Sequence, residues 1–294
     1  WRTLWRDVRS GDMRLLIVAV TLAVAALTAV GFFSDRLKGG LQRDARQLLG
    51  GDAVIASDNP TPETFVAKAR ELGLTRVTTL GFPTMARADE AQGGATKLVA
   101  LKVVEPGYPL RGKLLLAGET PGSEQVARSI PNPGQAWVDA GLLDALSLQR
   151  GDALLLGDSR FTIAGVIALE PDRGAGFMNF APRVMIHSND VAATGLIQPA
   201  SRLNYRMAVV GPDAQIKTFV DWADKEVKDG ANRAERGVRG VRVESLQTGR
   251  PEMSQTLDRA EKFLSLVALL AALLSAVAVA LAARAFAARH LDDC

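Results

Sequence analysis

Residues 263–283, FLSLVALLAALLSAVAVALAA, run for twenty-one positions without a charge. At about 1.5 Å of rise per residue, a helix of this length spans ~30 Å, the thickness of a bilayer's hydrocarbon core. A helix in water needs a polar face, and this one has none. The run is therefore expected to be a transmembrane helix. Ala268, Ala272, Ala276 and Ala280 recur every fourth residue and form a flat stripe suited to close helix packing. The competing reading is that alanine is simply common in such helices. A packed bundle would need more helices than these residues supply.

A second apolar run covers 15–33. Its alternative is a secretory signal peptide, with Ala29-Val30-Gly31 as a cleavage site, but the run exceeds the roughly 7–15 apolar residues of such a signal. It is read as a first transmembrane helix. Residues 1–14 place Trp1, Leu4, Trp5 and Val8 on one helical face and Arg2, Arg6, Asp7 and Arg9 on the other, the pattern of an interfacial amphipathic helix. The arginines before the first run, and Arg284 and Arg289 after the second, place both ends in the cytoplasm by the positive-inside rule. Residues 34–262 are then extracytoplasmic.

Net charge is +3 and the pI about 9.2. The span between the apolar runs is nearly balanced in charge and shows no basic stripe for a phosphate backbone, so nucleic acid is excluded as a partner. A lone cysteine, Cys294, permits no intrachain disulfide.

Residues 34–49 continue helically, with Leu37, Leu41 and Leu48 on one face and a bend expected at Gly39-Gly40. Met253 and Leu257 lie on a matching stripe before the second run, and the two short helices are expected to pair as a stalk over 34–49 and 252–262. Between them the periodicity predicts strands over 52–57, 76–88, 97–104, 113–116, 135–138, 153–156, 160–169, 183–186, 203–210 and 241–245. Helices are predicted over 62–72, opened by Thr61, and over 140–146 and 214–227. The expected fold is α+β: porter-like βαβ pieces at 50–89 and 201–251, and an inserted β-rich lobe at 90–200.

Several patterns touch on chemistry. Gly107-x-x-x-x-Gly112-Lys113 nearly matches a phosphate-binding loop, but Leu114 stands where a hydroxyl is needed and a strand follows. Gly157-Asp158-Ser159 resembles an esterase nucleophile block, yet His187, the one histidine between the apolar runs, has no aspartate three residues before it, so a hairpin turn is the better reading. The scattered histidines and the cysteine make no metal site. In 171–182, PDRGAGFMNFAP, the large apolar residues Phe177, Met178 and Phe180 sit among glycines. They form either a contact surface for lipid or a partner, or part of the lobe's own core.

At Gly107–Gly112 (GYPLRG), 194–199 (TGLIQP) and 257–264 (LDRAEKFL), leading into AVALAARAFAARHLDDC, the chain resembles the ABC-transporter permeases of the YbbP type. These stand within the wider group of macrolide-exporter (MacB), lipoprotein-release and FtsX-like permeases. The resemblance implies an inner-membrane, non-enzymatic permease subunit with a large periplasmic domain. It would be driven by a cytoplasmic ABC ATPase dimer, which would hold the ATP and Mg²⁺, with no cofactor in this chain. It further implies mechanotransmission toward a hydrophobic or lipid-like substrate, membrane lipid as a partner, a periplasmic esterase as an associated protein, and further membrane helices beyond the second. A coupling segment from 284 onward, with Arg289, His290 and Leu291, is implied to dock on the ATPase. The alternative of another class is a two-helix receptor with a periplasmic ligand-sensing domain, which would share the helix–domain–helix layout.

Overall fold

The computed structural model describes residues 11–118, 120, 122–174, 180–199, 201–232 and 240–245, and in the second apolar run 259, 262–263, 265–274, 276–277, 279–281 and 284. The chain divides into two units, 44–249 and 1–43 with 250–294.

Helix α1 (Gly11–Leu49) includes the whole first apolar run; its residues 11–43 belong to the smaller unit and 44–49 to the larger. It remains helical through Gly39 and Gly40, where a bend is expected. Among the described residues, a Cβ at either glycine would meet nothing within 4 Å. The described residues of the second run are helical as well. Phe32, Phe33, Phe263, Leu266, Leu269 and Leu274 are all exposed. Counted over the described residues alone, no helix is long and apolar enough to cross a membrane.

The larger unit is built on one sheet. Its strands are β1 (Ala53–Ser57), β2 (Thr75–Ala88), β3 (Thr96–Val104), β4 (Leu115–Ala117), β5 (Glu124–Val126), β6 (Gln135–Asp139), β7 (Ala153–Leu156), β8 (Ser159–Leu169), β9 (Arg183–His187), β10 (Asn204–Val210) and β11 (Arg242–Ser245). At one end the order is β11-β1-β10-β2, antiparallel throughout. Helix α2 (Glu63–Glu71) links β1 to β2, and α4 (Asp213–Asn232) links β10 to β11. Each pair of linked strands is therefore parallel with a third strand between them: two interleaved split βαβ units.

The sequence dictates this end plainly. Phe65 and Ala69 on α2, and Ile216, Phe219 and Ala223 on α4, recur at three- and four-residue spacing. They bury against Ala53, Ile55, Met207 and Val209. Trp222 meets Phe65 edge-on at 5.3 Å. Helix α2 closes on Gly73 at φ +66°, where Gly73 N–H donates to Arg70 O and Leu74 N–H to Ala69 O, both halves of a Schellman motif. Pro62, not Thr61, occupies its N-cap, and Thr61 Oγ1 is buried without a hydrogen-bond partner among the described residues.

The other end closes on itself. β2 pairs with β3, β3 with β9, β9 with β6, β6 with β8, β8 with β7, and β7 again with β2. Leu101, Val103, Val138, Leu154, Leu156, Phe161, Ile163 and Ile186 fill the interior, and helix α3 (Ala140–Leu146) adds Leu142 and Leu146. β2 itself belongs to both ends, its first half pairing with β10 and its second with β3 and β7. A fourteen-residue strand has room for two partner sets, and hydropathy alone cannot register the change. β5 and the two 3₁₀ turns, Glu90–Gln92 and Ser188–Thr194, are too short for periodicity to reveal. Lys113 lies outside β4, which starts at Leu115.

Candidate functional site

The outward faces of β3, β9 and β6 are not open to water. The segment after β3 folds over them and brings Tyr108, Leu114 and Ile130 onto Val104, Met185 and Trp137. Lys102 is an outward residue of β3 in the otherwise apolar stretch Leu98, Val99, Ala100, Leu101, Val103, Val104, so the covering segment leaves its ammonium 6% exposed. A buried ammonium must be paired. Its Nζ donates to Glu170 Oε1 at 2.7 Å, to Asp172 Oδ1 at 2.8 Å and to the Tyr108 hydroxyl at 2.9 Å. Tyr108 in turn donates to Asp172, and Arg183 Nε donates to the other oxygen of Glu170 at 2.7 Å. Two cations thus face two carboxylates in a nearly dry, neutral cluster.

The electrostatics follow from this geometry. Burial pushes the Tyr108 phenol well above its ordinary range, and the charges of Asp172 and Glu170 push the same way. Burial alone would raise Asp172, but the Lys102 charge and the hydrogen bonds from Lys102 and Tyr108 outweigh it and hold the carboxyl below its usual value.

The cluster roots the 171–182 loop at both ends. Asp172 is fixed as above. Arg173 donates to Asp139 with Nη2 at 2.6 Å and Nη1 at 3.2 Å, and the Arg183 amide donates to the same carboxylate at 2.8 Å.

A second cluster lies beside the first. The Asp52 carboxylate, directly before β1, is 2% exposed. It accepts from Arg111 Nε at 3.0 Å and Nη2 at 2.8 Å, and from Gly211 N–H at 3.2 Å. That hydrogen bond raises the Arg111 guanidinium further above its ordinary value. Arg46 in the last turn of α1 approaches with Nε 3.5 Å from Asp52 and donates Nη2 to Asp213 at 2.7 Å. Gly50, which ends α1 at φ +79°, leaves room for Asp172, whose Cβ would lie 3.0 Å from a Cβ there. Gly112 at φ +83° lets Pro171 approach within 2.5 Å of where a Cβ would stand. The end of α1, the GYPLRG segment and the loop root therefore meet at one place, with charge buried between them.

The near-match to a phosphate loop at Gly107–Gly112 is thus a hook. Tyr108-Pro109 is a cis peptide, Tyr108 and Arg111 reach into the two clusters, and a strand follows, not a helix. The TGLIQP segment is also structural: Asp158 N–H donates to Thr194 O at 2.9 Å, and Gly157 in the two-residue β7–β8 turn has no space for a Cβ against that oxygen. The esterase-like Gly157-Asp158-Ser159 is therefore a hairpin turn. Among the described residues no group of three His, Cys, Asp or Glu could hold a metal.

The residues singled out from sequence fall elsewhere. Arg289, His290, Leu291, Met253, Leu257, Phe177 and Met178 lie outside the described residues, as do the side chains of Leu37 and Leu41. Leu48 is 43% exposed and Phe180 84% exposed. Ala268 and Ala272 are half-buried, Ala276 and Ala280 exposed. The sequence reading passed over Lys102, Asp52, Glu170, Asp172 and Arg46. For Lys102 a signal existed: a lone charge inside an apolar strand run has to be matched somewhere.

A family model for the MacB-like periplasmic core domain matches residues 15–234. The ABC transporter permease YbbP of Escherichia coli (strain K12), described as uncharacterized, is 31% identical over 291 residues, covering 99% of this chain and 34% of that protein. The chain thus spans about a third of that relative's length. Among solved structures, the extracellular domain of the noncanonic ABC-type transporter YknZ from Gram-positive bacteria is similar at a TM-score of 0.42 and 13% identity, covering 65% of this chain and 99% of that one. The periplasmic region of MacB from Actinobacillus actinomycetemcomitans gives a TM-score of 0.42 and 8% identity, covering 72% and 95%. The family assignment rests on the family model over residues 15–234. On the family match across most of its length, this chain belongs to the MacB-like periplasmic core domain family.

Proposed function

We propose that this chain is part of an ABC transporter permease whose domain over 44–249 lies in the periplasm, carried on two transmembrane helices with both ends in the cytoplasm. The observation that carries this reading is the 31% identity across 99% of the chain to a permease. The exposed apolar side chains of both runs support it, because Phe32, Phe33, Phe263, Leu266, Leu269 and Leu274 together form far more exposed apolar surface than a water-soluble helix tolerates.

The buried charges of the domain are spent on one another, an arrangement that suits moving or holding a partner. ATP and Mg²⁺ then belong to a cytoplasmic ABC ATPase dimer. The work delivered is extraction or export of a hydrophobic or lipid-like substrate by mechanotransmission, with membrane lipid and a periplasmic esterase as candidate partners. The apolar triplet Phe177, Met178 and Phe180 is the proposed contact surface: Phe180 is exposed, and Asp172 and Arg173 before it are held by ion pairs.

The coupling contact is assigned to Arg289, His290 and Leu291. Full-length tagged protein, solubilised from its own membrane, is expected to co-purify with an ABC ATPase, and Leu291→Asp to lose it while still inserting in the membrane. Co-purification with a signalling protein in place of an ATPase would favour the receptor reading. ATPase retention by Leu291→Asp would move the coupling site elsewhere.

A further inference from the structure

We propose that Arg46 is the positioning residue that fixes the end of α1 to the sheet, so that movement of this helix is delivered to the domain through charge and not through an apolar seam. The delivery part of the inference rests on the permease reading; the joint itself does not.

Four observations carry it. First, the last turn of α1 makes little use of apolar contact: Leu48 is 43% exposed and Gln47 is exposed, while Leu49 alone reaches the recess beside Val54 and Tyr108. Second, Arg46 spans two anchors on different elements. Nη2 donates to Asp213 at the start of α4, and Nε pairs with Asp52 at the start of β1. A planar, always-charged fork presents Nε and Nη2 to two carboxylates from separate atoms at a fixed angle, whereas a lysine's donors share one nitrogen. Third, Asp52 is already saturated without Arg46, since Arg111 holds both of its oxygens and Gly211 N–H adds a third bond. Arg46 is therefore not needed to neutralise a buried charge. Its Nε is buried and, among the described residues, has no hydrogen-bond partner despite the 3.5 Å ion pair. Arg46 accepts that unfavourable burial only for the sake of position. Fourth, Asp213 and Gly211 flank the turn from β10 into α4, so displacement of Arg46 acts at once on β1, β10 and α4, the elements that frame the split βαβ end.

The test is a distance measurement between spin labels on the full chain in lipid nanodiscs. Cys294 is first replaced by Ser, and labels are placed at Asp44→Cys on α1 and Lys217→Cys on α4, both exposed. The parent is expected to show one narrow distance. Arg46→Gln is expected to lose that narrow distance while keeping the parent's melting temperature, because Arg111 still pairs with Asp52. Arg46→Lys, which keeps the charge but loses the two separated donors of the guanidinium, is expected to lie between the two.

A narrow distance retained in Arg46→Gln would overturn the proposal. So would a melting temperature that collapses with it, because Arg46 would then be part of the domain's structural core. Loss of the narrow distance with ATPase-driven transport unimpaired would uphold the joint and overturn the delivery of helix movement through it.

Discussion

Lys102→Met is expected to destabilise the domain by about 3–5 kcal/mol, the cost of removing one partner from a buried ion pair. Methionine matches lysine in length and fills the same space, so the packing of Val104, Tyr108 and Leu114 changes little. The charge does change. Glu170 and Asp172, both nearly inaccessible, would keep the Arg183 bond to Glu170 and the Tyr108 bond to Asp172 but lose the ammonium they share. Against a total stability of roughly 5–15 kcal/mol, this is a large share. For a domain of this size it lowers the melting temperature by roughly 6–20 °C.

The pH dependence should change with it. In the parent, the depressed Asp172 carboxyl contributes stability that is present above the ordinary carboxylate range and lost as pH falls through its lowered value. Without Lys102, burial dominates and raises that carboxyl, so the variant should recover stability as mild acid protonates it. Adding Asp172→Asn should restore most of the loss at neutral pH. Thermal melts of the full chain across pH 5–8 decide this. Phe180→Ser, at a residue 84% exposed, serves as the control with a melting temperature close to the parent's. An unchanged melt for Lys102→Met would mean that the cluster contributes nothing net. A fall for Phe180→Ser would mean that the loop tip packs into the core and is not a contact surface.

Phe219→Ala should act on the other end of the sheet. Phe219 is fully buried on α4 among Ala53, Phe65, Met207 and Val209, and Trp222 stands 6.1 Å away. Truncating a buried phenylalanine costs about 3–5 kcal/mol, part in lost transfer energy and part in the cavity left behind. The interior of the closed ring of strands is a separate cluster with its own Phe161, Leu101 and Leu154. The loss should therefore appear first around α2 and α4, seen as a change in Trp222 fluorescence at lower urea than the unfolding of the rest. A urea midpoint equal to the parent's would show that α4 is not needed to close that face.

Much of this architecture was legible in the residues. The three- and four-residue spacing of Phe65–Ala69 and Ile216–Phe219–Ala223 marked α2 and α4, and alternation marked β1, β3, β8 and β10. Turn chemistry at Gly157-Asp158 placed the β7–β8 hairpin. What was not legible has a common cause: it depends on partners distant in sequence. β2 divides between two ends of the sheet because β10 and β7 approach different halves of it, and nothing local to 75–88 reports that.

The ionic site was hidden for the same reason. Lys102 meets Glu170 and Asp172 across 68 and 70 positions, and Arg111 meets Asp52 across 59. Lys102 stood out as a lone charge in an apolar strand, but its partners looked like ordinary surface residues. The GYPLRG segment was noticed for its glycines, whereas its function in the fold lies in Tyr108 and Arg111 between them.

The claim on which the account depends is that the domain and the end of the chain lie on opposite sides of a membrane, and accessibility to a membrane-impermeant maleimide in intact cells tests it most directly. Lys217→Cys, exposed on α4 and placed in a Cys294→Ser background, should be labelled from outside, while the native Cys294 of the parent should be labelled only after lysis. Lys217→Cys protected until lysis, or Cys294 labelled in intact cells, would contradict the account.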